Sequence, residues 1–147
     1  MANAVDAKRR QVEDRRHVIQ TDLGPEPILV EADPVRITQV VSNLLDNAAK
    51  YTPDGGCIAV AISRRSAEVH IAVTDTGGGI PAEQLTNIFR PFTQLDMANP
   101  KRRGGLGLGL PLVQSLTEVH GGSVQATSAG DGQGSCFTVR LPVPADR

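Results

Sequence analysis

Several features that would place a chain in a class at once are missing from these 147 residues. Only two cysteines occur, Cys57 and Cys136, far apart, without CxxC spacing and without clustered histidine, so neither a zinc site nor a disulfide framework is supported and reduced, intracellular thiols are the default. No apolar run approaches the ~18 residues of a membrane span, and the polar N-terminus lacks the apolar stretch of a signal peptide, so a soluble chain is expected. Neither charge is in excess: 15 Lys and Arg stand against 16 Asp and Glu, a net charge of −1. A chain so balanced projects no global field toward nucleic acid or an acidic membrane surface. Its partners must be read from local sites.

The length suffices for about one domain with one core, without disulfides or a structural metal. Glycine is present at 15 positions and is concentrated at 77–79, 104–109, 121–122 and 130–134, which implies special backbone work in those places.

Asp33-Pro34 offers an N-cap followed by proline at the first helical position, and predicts a helix over 34–51. Ile37, Val40, Val41, Leu44, Leu45 and Ala48 recur at the spacing that lays apolar side chains along one side of such a helix, to pack on a sheet. Asn43, Asn47 and Lys50 stack along another side, with Tyr51 four beyond Asn47, a polar row of about 12 Å at 1.5 Å of rise per residue. A solvated surface helix would also carry an Asn pair. Asn is, however, a poor residue for a helix interior, because its amide competes for backbone hydrogen bonds. Two on one face suggest a use.

Around this helix the pattern alternates. Residues 1–16 are polar and charge-mixed and read as a lead-in; short strands are expected at 18–22 and 28–31 around Gly24-Pro25-Glu26-Pro27. Period-two alternation marks strands over 58–63 and 69–74, with Arg64-Arg65-Ser66 as the hairpin connection. Asp75 follows the second strand and runs into Thr76-Gly77-Gly78-Gly79-Ile80-Pro81. A short helical turn is expected over 83–88, then a polar, aperiodic loop over 93–103. A glycine run enters a helix over 110–120, striped by Leu112, Val113, Leu116 and Val119 and stopped by Gly121-Gly122. Strands over 123–128 and 135–142 close the chain.

Two stretches carry possible chemistry. Gly105, Gly107 and Gly109 before a helix could present backbone N–H groups to phosphate, or could form a plain turn. They match neither the P-loop nor the dinucleotide G-x-G-x-x-G. Asp75-Thr76-Gly77 matches the catalytic triplet of aspartic proteases, but only one copy exists and the rest of the pattern would go unused; Asp75 also suits an ordinary strand-end turn.

Taken together and in this order, the stretches resemble the signature boxes of sensor histidine kinases. Asn43-Leu44-Leu45-Asp46-Asn47-Ala48-Ala49-Lys50-Tyr51-Thr52-Pro53 resembles the N box and Asp75-Thr76-Gly77-Gly78-Gly79-Ile80 the G1 box. Phe89-Arg90-Pro91-Phe92 resembles the F box, Gly105-Leu106-Gly107-Leu108-Gly109-Leu110 the G2 box, and Gly132-Gln133-Gly134-Ser135-Cys136-Phe137 the last glycine motif. The likeness runs from about 18 to 142 and is to the catalytic and ATP-binding domain, within a superfamily that includes gyrase, a heat-shock chaperone and mismatch-repair ATPases.

The resemblance implies a Bergerat fold: a two-layer α/β sandwich, a mixed sheet of about five strands covered on one face by about three helices. Residues 17–147 would form this domain after a lead-in over 1–16 from a preceding dimerisation region. It implies that Asp75 accepts a hydrogen bond from the adenine amine; guanine presents a carbonyl there, an acceptor facing an acceptor. It implies Asn47 as a Mg²⁺ ligand with Asn43 in support, amide oxygens suiting a hard cation whose charge the triphosphate balances. Lys50 would meet phosphate oxygens and Tyr51 would flank the nucleotide. Gly77, Gly79, Ile80 and Ser135 belong to the implied ATP site, as do Arg102, Gly105, Leu106, Gly107, Leu108 and Gly109, with 93–103 as the lid.

Related hydrolytic ATPases carry glutamate at the position of Asn43, where it activates water; an amide cannot take that proton, which favours phosphoryl transfer to a protein. Three residues depart from the family: Leu106 where a hydroxyl is frequent, Gln94 where some relatives have arginine, and Arg90 at a commonly acidic place. One of Lys101, Arg102 and Arg103 could supply the missing charge, or the three could be a solvated loop tip. The acceptor motif, His followed by an acidic residue and Arg-Thr-Pro-Leu, is absent. His17 and His70 fit strands, and His120 fits a structural helix end. The expectation is thus a cytoplasmic protein-histidine kinase domain that binds ATP and Mg²⁺. Its partners would be the dimerisation and phosphoacceptor domain of the same kinase and a response regulator receiver domain, with no nucleic acid and no membrane contact by this domain. The alternatives are a noncatalytic nucleotide-binding module of a degenerate kinase and an anti-sigma-type serine kinase.

Overall fold

The computed structural model describes residues 18–24, 32–53, 55–80, 83, 85, 87–90, 109–130 and 132–143. Within them run β1 (Val18–Asp22), α1 (Pro34–Tyr51), β2 (Cys57–Arg65), β3 (Glu68–Asp75), α2 (Gly109–Val119), β4 (Ser123–Thr127) and β5 (Ser135–Pro142). The strands form one sheet in the order β1-β2-β3-β5-β4, with β1 and β2 parallel and the other neighbours antiparallel. The parallel pair needs a crossover, and α1 lies in the connection between its strands. This is the expected mixed sheet under helices on one face. Two α-helices lie among the described residues; the turn expected over 83–88 is described only in part, and the strand expected at 28–31 lies outside them.

The core sits between one face of the sheet and α1. Alternation in β3 and β5 turns Val69, Ile71, Val73, Phe137, Val139 and Leu141 inward, and the register sets Ile71 beside Val139 and Val73 beside Phe137. From α1, Val40, Val41, Leu44 and Leu45 are fully buried. Asp33 starts this helix by accepting hydrogen bonds from the Val35 and Arg36 amides at 2.9 and 3.4 Å. Thr52 stops it, its hydroxyl donating to the Ala48 carbonyl at 2.6 Å. Leu44 has 0% exposure, so Leu44→Ala removes core contacts and leaves a cavity; an equilibrium urea titration is expected to read a loss of about 3 kcal/mol.

The hairpin differs from the expectation of a turn at Arg64-Arg65-Ser66. Pairing continues to Arg65 opposite Glu68, so Ser66 and Ala67 alone make the turn, with Ser66 at φ 56°. Cross-strand hydrogen bonding carries the two arginines into the strand, although their side chains look like loop composition.

α2 begins at Gly109 and ends at Val119, one residue earlier at each end than the expected 110–120, and it buries Val113 and Thr117, whose hydroxyl donates to the Val113 carbonyl at 2.7 Å. His120 joins the two helices. Its Nδ1 lies 2.7 Å from the Leu116 carbonyl, and its Nε2 accepts from the Asp33 amide at 3.1 Å. That fixes a neutral imidazole with the proton on Nδ1, a structural role as expected for this histidine.

Candidate functional site

The end of β3 places Asp75 between Ile58 of β2 and Ser135 of β5. Its side chain is 4% exposed, on the same inward face as Val73. Oδ1 accepts from the Gly77 amide at 2.8 Å and Oδ2 from the Ser135 hydroxyl at 2.7 Å. A carboxylate offers about four acceptor positions, so two donors fix its plane and leave capacity for a third from a ligand.

The backbone after Asp75 is threaded through spaces that only glycine fits. A Cβ on Gly77 would lie 2.3 Å from the Tyr51 carbonyl oxygen, and one on Gly134 would lie 2.2 Å from the Asp75 carbonyl oxygen. The Gly78 amide donates to that same Tyr51 carbonyl at 3.3 Å. The last turn of α1 therefore sits directly against the Asp75 turn, which brings the polar row of the helix to the buried carboxylate. Thr76 anchors the turn from the other side, with its hydroxyl accepting from the Cys57 amide at 2.9 Å and its own amide donating to the Cys57 carbonyl.

In that row Asn43, Asn47, Lys50 and Tyr51 are all partly buried rather than splayed into water. Asn43 carries the informative atom. Its Nδ2 is buried and has no hydrogen-bond partner, the only such side-chain nitrogen or oxygen among the described residues. An unmet buried donor costs about 1–3 kcal/mol, a cost that an acceptor supplied by a ligand would remove. Lys50 has its Nζ 5.3 Å from the centroid of the Tyr51 ring, and burial lowers its pKa from the ordinary lysine value. An anion at this place would oppose that shift by favouring the ammonium.

The floor of the site is a double loop. Residues 77–80 face 128–130 and 132–134 through Gly134 N donating to Gly77 O at 3.1 Å and Gly132 N donating to Gly78 O at 2.6 Å. Gly79, at φ 74°, lies where a Cβ would be 2.0 Å from the Gly130 carbonyl oxygen. Ile80 turns its side chain into the core at 2% exposure. Phe89 also faces the core, edge-on to Phe137 at 6.3 Å between centroids and 84° between planes.

Of the residues singled out in the sequence, Asp75, Gly77, Gly79, Ile80, Ser135 and Tyr51 are thus brought together around one turn, with Lys50, Asn47 and Asn43 along the adjoining helix. Arg102, Gly105, Leu106, Gly107 and Leu108 lie outside the described residues. Gly109 is the exposed first residue of α2. Among the described residues, no three His, Cys, Asp or Glu side chains gather where they could hold a metal ion, and no helix is long and apolar enough to cross a membrane.

The sequence pattern of the family described as "Histidine kinase-, DNA gyrase B-, and HSP90-like ATPase" matches residues 32–145. This chain belongs to that family. Among its relatives, the alginate biosynthesis sensor protein KinB of Pseudomonas aeruginosa is 40% identical over 131 residues, which is 89% of this chain and 21% of KinB. The mycobacterial sensor histidine kinase MprB has a solved structure that superposes with a TM-score of 0.84 at 28% identity, covering 99% of this chain and 97% of that one. Full-length ShkA, solved in complex with AMPPNP, superposes with a TM-score of 0.85 at 26% identity, over 99% of this chain and 29% of ShkA. The chain thus spans about a fifth of the length of a curated relative such as KinB.

The histidine kinase-like fold also uses hydroxyl residues to which the sequence assigned no hydrogen-bond partner. Ser128 links the two floor loops, and Thr76 and Thr52 tie the ends of β2 and α1. Each is a hydroxyl residue next to a turn, a composition that marks a turn without naming the distant partner.

Proposed function

We propose that this chain is the catalytic and ATP-binding domain of a sensor histidine kinase, residues 17–147 forming the domain and 1–16 leading in from a dimerisation region. It would bind Mg²⁺-ATP and transfer the γ-phosphoryl group to a histidine on a dimerisation domain outside this chain, for onward transfer to a response regulator receiver. The observation that carries this reading is the buried Asp75 carboxylate, oriented by Gly77 and Ser135 beside a helix face with an unmet amide donor.

The residues fit such a ligand. Asp75 has acceptor capacity for the exocyclic amine of adenine, whereas the guanine carbonyl would set an acceptor against an acceptor. The unmet Nδ2 of Asn43 suits a phosphate oxygen or a metal-bound water, while the amide oxygens of Asn43 and Asn47 are the hard, neutral donors that Mg²⁺ accepts. Magnesium, when bound, would neutralise charge on the triphosphate. Lys50 adds a cation on the same face, and Tyr51 closes the side of the nucleotide. Gly105, Gly107 and Gly109 would offer backbone N–H groups, and Arg102, with Leu106 and Leu108 beside it, would belong to the lid. With Asn at position 43, the chain has no carboxylate there to deprotonate water, so transfer to a protein is favoured over hydrolysis. The position of the reaction in a cytoplasmic signalling protein is part of the same proposal.

Calorimetric titration of ATP, with Mg²⁺ and with chelator, tests the metal role. Wild type is expected to bind more tightly with Mg²⁺, and Asn47→Ala to lose about tenfold in affinity in Mg²⁺ with little change in chelator. A variant equal to wild type in Mg²⁺ would refute the assignment. Incubated with γ-labelled ATP, the chain alone is expected to stay nearly unlabelled; strong labelling of its own histidines would contradict an external acceptor.

A further inference from the structure

Asp75 depends on two donors that arrive from different segments. Gly77 belongs to the loop after β3, and Ser135 follows the loop after β4. Strand register brings Ser135 beside Asp75 and chain connectivity brings Gly77 near it, and the spacing of the two loops then sets how closely each donor approaches its carboxylate oxygen. Backbone bonds and glycine contacts bring the loops together, but a Cβ-free contact such as Gly79 on Gly130 has no side chain of its own to set its distance.

Among the described residues, Ser128 is a side chain that spans the gap. Its hydroxyl oxygen accepts from the Ile80 amide at 3.0 Å and from the Gly130 amide at 3.2 Å, and its proton is donated to the Gly134 carbonyl at 2.7 Å. One donor and two acceptor positions are all that a hydroxyl has, and all three are used. The bond to Ile80 joins residues 48 apart in the chain. The bond to Gly134 holds the peptide immediately before Ser135. Ser128 therefore grips, with one oxygen, the loop that supplies the first donor to Asp75 and the loop that delivers the second.

We infer that Ser128 is a positioning residue for Asp75, and that its hydroxyl sets the discrimination between adenine and guanine by holding the Gly77 and Ser135 donors at the spacing one carboxylate can accept. The inference rests on the nucleotide reading above. Ser128 acts through Asp75 and does not itself contact the ligand in this role. Removing the hydroxyl leaves the loops tied only by the Gly132–Gly78 and Gly134–Gly77 backbone bonds, so their spacing loosens, Asp75 gains freedom to rotate between its donors, and the acceptor aimed at the adenine amine is held less firmly.

The test is competition calorimetry of Mg²⁺-ATP and Mg²⁺-GTP with wild type, Ser128→Ala and Ser128→Thr, together with amide nitrogen–proton spectra and thermal melts. Ser128→Ala is expected to weaken ATP binding about tenfold and GTP binding much less, so the ratio of the two affinities falls nearly as far. The Ile80 and Gly130 amide resonances are expected to move, since both lose an acceptor. Ser128 borders an open cavity of about 260 Å³ with room for a methyl group, so Ser128→Thr is expected to restore the ratio. A lower melting temperature with an unchanged ratio would mean a merely structural serine and would overturn the inference. Should Ser128→Ala not fold, Ser128→Cys, with a weaker acceptor, serves instead: an intermediate ratio supports the inference and a wild-type ratio overturns it. ATP-selective wild type beside an equally selective variant would sink the role of Ser128 alone; wild type that does not bind ATP would sink the nucleotide reading with it.

Discussion

Asp75→Asn is expected to weaken ATP binding about a hundredfold and to abolish the preference for ATP over GTP. The substitution keeps shape and volume but replaces one acceptor oxygen with a donor. Asp75 already receives Gly77 N–H and the Ser135 hydroxyl, so the new amide group must point either at one of these donors or at the adenine amine. Turned toward Gly77 or the adenine amine, the new amide group sets a donor against a donor; turned toward Ser135, it is accepted by the hydroxyl only if that hydroxyl reverses, and one acceptor is still lost from a site that is 4% exposed, where water does not make up the deficit. A hydrogen bond to a charged group is worth about 1.5–3 kcal/mol and an unmet buried donor costs about 1–3, which is why the effect is large. Titration of both nucleotides into wild type and variant, with circular dichroism to establish folding, reads the result. Equal affinity of wild type for ATP and GTP, or an undiminished variant, would remove Asp75 from the base-recognition role.

Gly134→Ala is expected to cost about 3 kcal/mol of stability, lowering the melting temperature by roughly 10 °C. Two penalties combine at this position. The residue is at φ 75°, where an L side chain is strained by about 1–2 kcal/mol, and its Cβ would lie 2.2 Å from the Asp75 carbonyl oxygen. Backbone cannot yield there without moving Asp75 or Ser135, so ATP binding is expected to fall as well. Gly132→Ala is the control. It has a similar φ of 76° but nothing within 4 Å of the added Cβ, so only the backbone penalty of about 1 kcal/mol applies. Equal melting temperatures for the two variants would show that the close approach to Asp75 is not what glycine serves at position 134.

Much of the fold was legible locally. The apolar stripe of α1, its Asp33-Pro34 start and its stop at Thr52 follow from helix periodicity and capping, and the buried set Val40, Val41, Leu44, Leu45 and Ala48 agrees with that stripe. Alternation likewise marked the β2 and β3 strands, but the turn moved from Arg64-Arg65-Ser66 to Ser66-Ala67 because pairing partners, not composition, decide where a strand ends. The parallel pairing of β1 with β2 could not be read from either strand, since alternation looks the same whichever neighbour a strand takes.

The site divides along the same line. By itself the sequence determined the residue types and their order: an asparagine-bearing helix face, one aspartate before a glycine turn, a glycine run before a second helix, and with them the family. Tertiary structure alone decided what those residues meet. Ser135 reaches Asp75 across 60 residues, Ser128 reaches Ile80 across 48, and His120 reaches the cap of α1 across 87. It also decided that the amide nitrogen of Asn43, legible only as part of a polar row, is buried and unmet. Periodicity reports which side of an element is apolar because that depends on residues a few positions apart; a hydrogen-bond partner dozens of residues away is fixed by sheet register and helix packing, which no local window contains.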